Sequence, residues 1–128
     1  MGRKKEVLSV LKQLGIDYSE LDSGEVLFEH GDGRFWFHPD DSRPCYVTVN
    51  KLNEIGTERH DKSKLLNVIN EINKSAPGIK VLLIGNDLLL NCDLYSGKHR
   101  LCSADIKDVM SQLDTAGKVM AKLLDDNT

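Results

Sequence analysis

The order of its patterned segments constrains the fold of this chain more than any single motif does. Apolar residues recur at helical spacing over residues 3–14, where Val7, Leu11 and Leu14 form one stripe. Gly15 follows directly and can adopt the left-handed conformation that ends a helix. The chain is therefore predicted to open with a helix, which a short link joins to the first strand.

A hairpin is predicted after this link. Residues 25–30 and 34–38 have strand character and flank Gly31-Asp32-Gly33. The two glycines can supply the positive φ angles that a hairpin turn requires.

A third strand is predicted over residues 45–50, after the turn-forming residues 39–42. Its side chains alternate, with Cys45, Val47 and Val49 predicted to point inward and Tyr46, Thr48 and Asn50 outward. Three antiparallel strands in a meander are the expected result.

The second strand carries an aromatic cluster, Phe35-Trp36-Phe37. A turn centred on Asp32 places Phe28 opposite Trp36 and puts Phe35 and Phe37 on the other face of the hairpin. We interpret the three residues as an aromatic surface beside a groove.

A second helix is predicted after Asp61, whose carboxylate is suited to cap free amides of the first turn. Its buried stripe is predicted to consist of Leu65, Leu66, Ile69 and Ile72, and the sequence Ala-Pro-Gly at 76–78 ends it. A closing helix is predicted to start with Ser103 as its cap. Its apolar seam, which is expected to lie on the sheet, comprises Ile106, Val109, Leu113, Ala116, Met120 and Leu123, widened by Met110 and Leu124.

Two more strands, 79–84 and 87–94, are joined by Gly85-Asn86, a favourable two-residue hairpin turn. The complete order is α-β-β-β-α-β-β-α. It predicts an α+β fold with an antiparallel sheet. The 128 residues suit a single domain, 1–128, with an ordered core over about residues 4–125.

The second hairpin is apolar on both faces. Pairing across the turn aligns Leu83 with Leu88, Val81 with Leu90 and Ile79 with Cys92, which completes an inward face. The opposite face then carries Leu82, Ile84 and Leu89. Another helix of the same chain can cover these three side chains, or they can form an interface. For an interface, a symmetric homodimer is the simplest arrangement.

No catalytic, cofactor or metal constellation is evident in the sequence. Three cysteines without close spacing are interpreted as buried thiols, and zinc would need a further ligand. With Asp32 at the apex of the first hairpin, His30 and His38 lie too far apart to share a metal ion. Asp40 and Asp41 are adjacent, so in extended backbone they point apart. We therefore expect no enzymatic activity and no bound cofactor.

Composition and hydropathy indicate which classes of partner and which cellular location to expect. The net charge of −3, with both signs spread along the chain, argues against nucleic-acid binding. No apolar run approaches the roughly 20 residues that span a bilayer, and the N-terminus lacks a secretory signal pattern. These features predict a cytoplasmic protein without membrane partners.

The order of segments, together with the stretch Leu65–Lys74 and the apolar hairpin after it, resembles the YbjN-like family of bacterial proteins. That family is related in fold to type III secretion chaperones, and the similarity covers residues 7–124. It implies a domain that is often dimeric, binds protein segments and has no known chemistry of its own.

Two functions are compatible with these observations. The first is a chaperone-like or adaptor module that binds protein segments as a homodimer, through apolar grooves and strand addition at a sheet edge. The second is a regulatory protein that senses a small ligand in a pocket between helix and sheet near Trp36. A hydrolase ranks last because no constellation supports it.

Overall fold

The structure is a computed structural model that describes residues 3–31, 33–39, 42–43, 46–53, 60–76, 78–85, 87–95, 97 and 100–125. Within these residues, three helices and six strands follow one another along the chain. They are α1 (Arg3–Gln13), β1 (Tyr18–Glu20), β2 (Val26–His30), β3 (Gly33–His38), β4 (Tyr46–Asn53), α2 (Lys62–Ser75), β5 (Ile79–Ile84), β6 (Asp87–Tyr95) and α3 (Ser103–Asp125).

The strands form one antiparallel sheet in the order β1-β2-β3-β4-β6-β5. The predicted α+β fold and order of elements are confirmed, with one addition. The sequence predicts a link where the structure has the short edge strand β1, which pairs with the first three residues of β2. Three residues with one apolar side chain carry too little alternation to indicate a strand.

The helices and one face of the sheet share a single hydrophobic core. We call this face of the sheet the inner face and the opposite one the outer face. Helix α3 contacts β4, β5 and β6, while α1 and α2 pack against α3. The predicted seam of α3 is confirmed, because seven of its eight side chains are buried and Leu123 packs partly buried against the core.

Helix α1 ends as its sequence predicts. Gly15 has a φ of 70°, in the left-handed region. Its amide donates to the carbonyl oxygen of Lys12 at 3.1 Å, and the amide of Ile16 donates to that of Leu11 at 2.9 Å. This pair of bonds is the Schellman motif, which satisfies carbonyl groups that the end of a helix leaves without partners.

The first hairpin differs from its predicted register by one residue. Val26 pairs with Phe37 and Phe28 with Phe35, because the connection contains Gly31 and one further residue rather than three. A slip of one residue exchanges the two faces of a strand. The prediction that Phe35 and Phe37 belong to a surface is therefore wrong.

Phe35 and Phe37 are each only 1% exposed and lie in the core. The ring of Phe35 stacks on that of Phe28, with centroids 5.6 Å apart. Trp36 alone of the aromatic cluster lies on the outer face, where it is half-buried.

Helix α2 has a rotated buried face. Its buried residues are Leu65, Val68 and Ile72, whereas Leu66 is exposed and Ile69 is half-buried. The prediction of Leu66 as a core residue is wrong because Val68 takes its place at the spacing of three and four residues. Asp61 does occupy the N-cap position, but its side chain makes no capping hydrogen bond.

The remaining strand predictions are largely confirmed. Val47 and Val49 of β4 are buried on the inner face, whereas Cys45 lies outside the described residues. The register of the second hairpin is as predicted, with Leu83 opposite Leu88. Helix α3 begins at Ser103 itself, and its first turn is closed by the Asp105 carboxylate, which accepts from the Cys102 amide at 2.9 Å.

Candidate functional site

A row of leucines crosses the outer face near one end of the sheet. Leu52 of β4 pairs with Leu89 of β6, which in turn pairs with Leu82 of β5. Leu89 is only 9% exposed, whereas Leu82 at the edge is 50% exposed. The sequence brings these residues together because each occupies an outward position of its strand. Among the candidate interface residues, Leu89 is thus covered by neighbours and Leu82 remains open to solvent.

The end of strand β5 exposes three aliphatic side chains in succession. Ile84 is 52% exposed. Leu83 is 43% exposed, although it lies on the inner face and pairs with the buried Leu88. Its exposure follows from its position in an edge strand, which has a neighbouring strand on one side only. We call Leu82, Leu83 and Ile84 the β5 patch.

Leu83 is a member of this patch that the strand alternation did not predict. Alternation assigns a side chain to a face, but it does not show whether that face is covered at the end of an edge strand. The run Leu-Leu-Ile directly before the turn at Gly85 is the sequence signal that indicates such an end.

A second apolar area lies nearer the β1 edge. Leu27 of β2 pairs with Trp36 of β3, so the two side chains are neighbours on the outer face. Leu27 is exposed and Trp36 half-buried. We call these two residues the Trp36 area. Leu27 was not predicted as a member of this area, because the one-residue error in register placed it on the face opposite Trp36.

A polar pair lies beside Trp36 on the outer face. Asn50 lies between Trp36 and Asn91 in adjacent strands, and its amide oxygen accepts a hydrogen bond from Asn91 at 2.7 Å. Asn50 is only 7% exposed, so this bond satisfies an otherwise costly buried amide. The pair favours the observed alignment of β4 with β6, because a shifted register leaves the Asn50 oxygen without this donor.

The far end of the outer face is polar and aromatic. The Thr48 hydroxyl donates to Asp93 at 2.6 Å, and Arg43 lies 3.4 Å from the same carboxylate. The Arg43 guanidinium also stacks 4.4 Å from the centre of the Tyr46 ring, which lies 5.2 Å from that of Tyr95. Among the described residues, the charges of Arg43 and Asp93 are thus paired with each other.

Strand β1 forms one open edge of the sheet. The Leu21 amide donates to the Glu25 carbonyl at 2.8 Å, and by alternation Ser19 makes the next bonded pair with Leu27. The backbone groups of Tyr18 and Glu20 therefore point away from β2. Such groups are a template on which an extended peptide can add as a further strand.

An open depression surrounds the tip of the first hairpin. Its lining includes Leu27 and Trp36 from the outer face, but also Phe28 and Phe35 from the inner face. The sheet itself lies between these two sets of side chains. The depression therefore wraps around the hairpin tip and does not form an enclosed chamber between helix and sheet.

An ion pair on the inner face was also missed from the sequence. Lys51 Nζ lies 3.0 Å from Asp114 Oδ1, and the Lys51 side chain is only 14% exposed. The strand prediction ended at Asn50, so Lys51 was not assigned to a face. Its partner comes from α3, and no local sequence pattern connects residues so far apart.

The groups that could support chemistry are dispersed over the described part of the chain. His30 and His38 lie on opposite faces of the first hairpin, and His38 Nδ1 is 3.7 Å from Glu25 Oε2. Burial raises the pKa of the Cys92 thiol from 9.0 to about 11, and the neighbouring Asp93 acts in the same direction. Cys92 is thus a poor nucleophile. Asp40 and Asp41 lie outside the described residues.

Metal-binding and membrane-spanning features can be assessed for the same residues. No group of three or more His, Cys, Asp or Glu side chains there is placed to hold a metal ion. Within the described helices, none is both long and apolar enough to cross a bilayer.

Comparison with solved structures places this fold among known ones. The chain is similar to the type III secretion chaperone SycH of Yersinia pestis, solved in complex with a stable fragment of YscM2. The TM-score is 0.66 with 14% identity, covering 92% of this chain and 98% of the chaperone. It is also similar to YbjN of E. coli, described as a transcription regulator on a provisional basis, with a TM-score of 0.59 and 15% identity. That match covers 96% of this chain and 90% of YbjN.

These similarities confirm the predicted resemblance in fold to YbjN and to type III secretion chaperones. No family model matches the sequence, and no curated protein matches it. At such low sequence identity the comparisons establish the fold, and function has to be argued from the surface of this chain.

Proposed function

We propose that this chain is a chaperone-like or adaptor module without enzymatic activity, which acts as a homodimer and binds extended protein segments. The observation that carries the proposal is the exposure of Leu82 and Ile84 on the outer face, while the described helices share the hydrophobic core with the inner face. Large aliphatic side chains clustered in water are typical of an interaction site.

The β5 patch is the proposed dimer contact. Full burial of a Leu or Ile side chain contributes roughly 1.5–3 kcal/mol, so a side chain that is already half-buried has about 1 kcal/mol left to gain. Leu82 and Ile84 share the outer face, so these two side chains on each of two copies supply about 4 kcal/mol. This is near the lower end of the roughly 4–15 kcal/mol that association costs. We therefore expect a weak dimer, to which the largely covered Leu89 adds little contact area.

The Trp36 area and the β1 edge are the proposed binding site for a partner segment. An extended peptide beside β1 can bond to the backbone of Tyr18 and Glu20, and its alternate side chains can reach Leu27. Backbone bonds of this kind provide affinity with little dependence on sequence, while the apolar side chains favour segments with alternating hydrophobic residues.

The fold comparison supports this choice of function. A chaperone with the same fold was solved with a fragment of another protein bound to it. The sheet and helices of this chain cover almost the whole of that chaperone. We also expect the module to work in the cytoplasm, as the sequence predicts.

The sole tryptophan of the sequence gives a direct test of segment binding. Peptides with alternating apolar residues, selected from a displayed library, should change the fluorescence of Trp36 on titration. Leu27→Ser should weaken this binding several-fold, since it removes apolar contact next to the indole. Val119→Ser is the matched control. Val119 is similarly exposed, but it lies on α3, which packs on the inner face and not on the face that carries Trp36. Equal affinity of both variants would refute the proposed site.

A small-ligand sensor is the second candidate, and the depression near Trp36 is the observation in its favour. Its open form makes it a poorer candidate, because small-molecule sites bury most of the ligand surface. A thermal-shift screen separates the candidates. A metabolite that raises the melting temperature favours the sensor, and stabilisation by peptides alone favours the adaptor.

A further inference from the structure

One side chain of α2 occupies the edge of the sheet opposite β1. The Val81 amide of β5 donates to Asn73 Oδ1 at 2.6 Å, and Asn73 Nδ2 donates to the Val81 carbonyl oxygen at 3.5 Å. The Ile79 amide also points away from β6, and it donates to the Ala76 carbonyl at 3.0 Å. The first half of this edge is therefore already hydrogen-bonded within the chain.

The pattern of strand pairing explains why Asn73 can reach Val81. Residues in an antiparallel strand alternately direct their backbone groups toward and away from the neighbouring strand. Both backbone groups of Val81 meet Asn73, so they point away from β6. The groups of Ile79 and Leu83 point the same way, and of these the Ile79 amide is bonded, to the Ala76 carbonyl.

The chemistry of Asn73 matches that of a strand. A primary carboxamide carries one carbonyl oxygen and N–H donors, as a peptide group does. Placed against Val81, it makes the pair of bonds that one residue of an added strand would make. Asparagine is also less favourable than alanine within a helix. The end of α2 does not require it, because the Ala76 amide already bonds to the Ile72 carbonyl at 3.0 Å.

We propose that Asn73 guards the β5 edge: its carboxamide hydrogen-bonds to the backbone groups of Val81 and so prevents another strand from pairing there. Exposed edges are otherwise sites of uncontrolled association between copies. The guard leaves the aliphatic side chains of the β5 patch accessible while closing the backbone beside them. It also leaves β1 as the sheet edge at which strand addition can occur. This inference does not depend on the proposed function, since it concerns the edge alone.

Asn73→Ala tests the guard, with Asn70→Ala as a matched control, because Asn70 is an exposed asparagine on the same helix. Hydrogen exchange is measured for the Val81 amide, and sedimentation velocity gives the size distribution over a range of concentrations. For Asn73→Ala we expect Val81 to exchange roughly tenfold faster and assemblies larger than those of the wild type to appear. Asn70→Ala should behave as the wild type.

A second variant keeps the test independent of any loss of helix stability. Asn73→Asp retains the oxygen that accepts from Val81 but loses the amide donor. We expect it to protect the Val81 amide and to suppress large assemblies. The proposal is overturned if Asn73→Ala matches the control in both readouts. It is equally overturned if Val81 exchanges faster but no larger assemblies form, since the bond would then exist without guarding the edge.

Discussion

Replacing both outward aliphatic residues of the β5 patch by glutamate tests the proposed dimer. Leu82 and Ile84 are 50% and 52% exposed, so each has about 1 kcal/mol of burial left to gain in an interface. Two residues on each of two copies amount to about 4 kcal/mol, or roughly a thousandfold in the dissociation constant. Carboxylates forced into an apolar contact add a desolvation cost. The double variant should therefore be monomeric at concentrations where the wild type associates.

Sedimentation equilibrium at protein concentrations from about 1 to several hundred micromolar measures the dimer dissociation constants of the wild type and of the double variant. Val119→Glu is the control, because it places one such charge on a similarly exposed aliphatic residue of α3. It should dimerise as the wild type does. Because the two replaced side chains are already half-exposed, the double variant should keep its fold, and circular dichroism checks this. A wild type that stays monomeric throughout this range, or a double variant that dimerises unchanged, would refute the proposed dimer contact.

Three further predictions concern stability. Gly33→Ala should lower the free energy of unfolding by roughly 1–3 kcal/mol in urea titrations, because the added methyl group would lie 2.7 Å from the buried Phe35 ring. Gly15→Ala should cost about 1 kcal/mol in the same assay, for a different reason: its φ of 70° is unfavourable for alanine although its surroundings are open. A cost near zero at either position would contradict its explanation. The Cys92 thiol, with its pKa raised by burial from 9.0 to about 11, binds its proton more tightly in the folded state. The stability it contributes is complete below pH 9 and falls as the pH rises toward 11. Cys92→Ala should show a smaller fall over this range, and identical slopes would contradict the assignment.

Much of the fold could be predicted because local patterns agree with it. The end of α1 at Gly15 and the seam of α3 follow from spacing and turn chemistry alone. The second hairpin was predicted in its correct register, since Gly85 and one further residue fit a two-residue turn.

The first hairpin shows the limit of such patterns. Gly31 and Gly33 both fit a turn, so the sequence permits connections of different length. The structure places Gly33 within β3, where its missing side chain makes room for the Phe35 ring. Packing thus determined the register, and with it which of the three aromatic residues is at the surface.

The candidate surface was only partly predictable for a related reason. The sequence indicated that Leu82, Ile84 and Leu89 share a face, and the pairing of β5 with β6 agrees. It could not show that Leu89 is covered, because its cover comes from neighbouring strands. Nor could it show the contact between Asn73 and Val81, which depends on how α2 lies beside the sheet.

We propose above that extended protein segments bind this chain at the open edge of its sheet. Hydrogen exchange of the wild type with a library-selected peptide tests it most directly. We expect slower exchange at the amides of Tyr18 and Glu20, whose backbone groups point away from β2. Protection confined to the helices, or a library that yields no binding peptide, would contradict it.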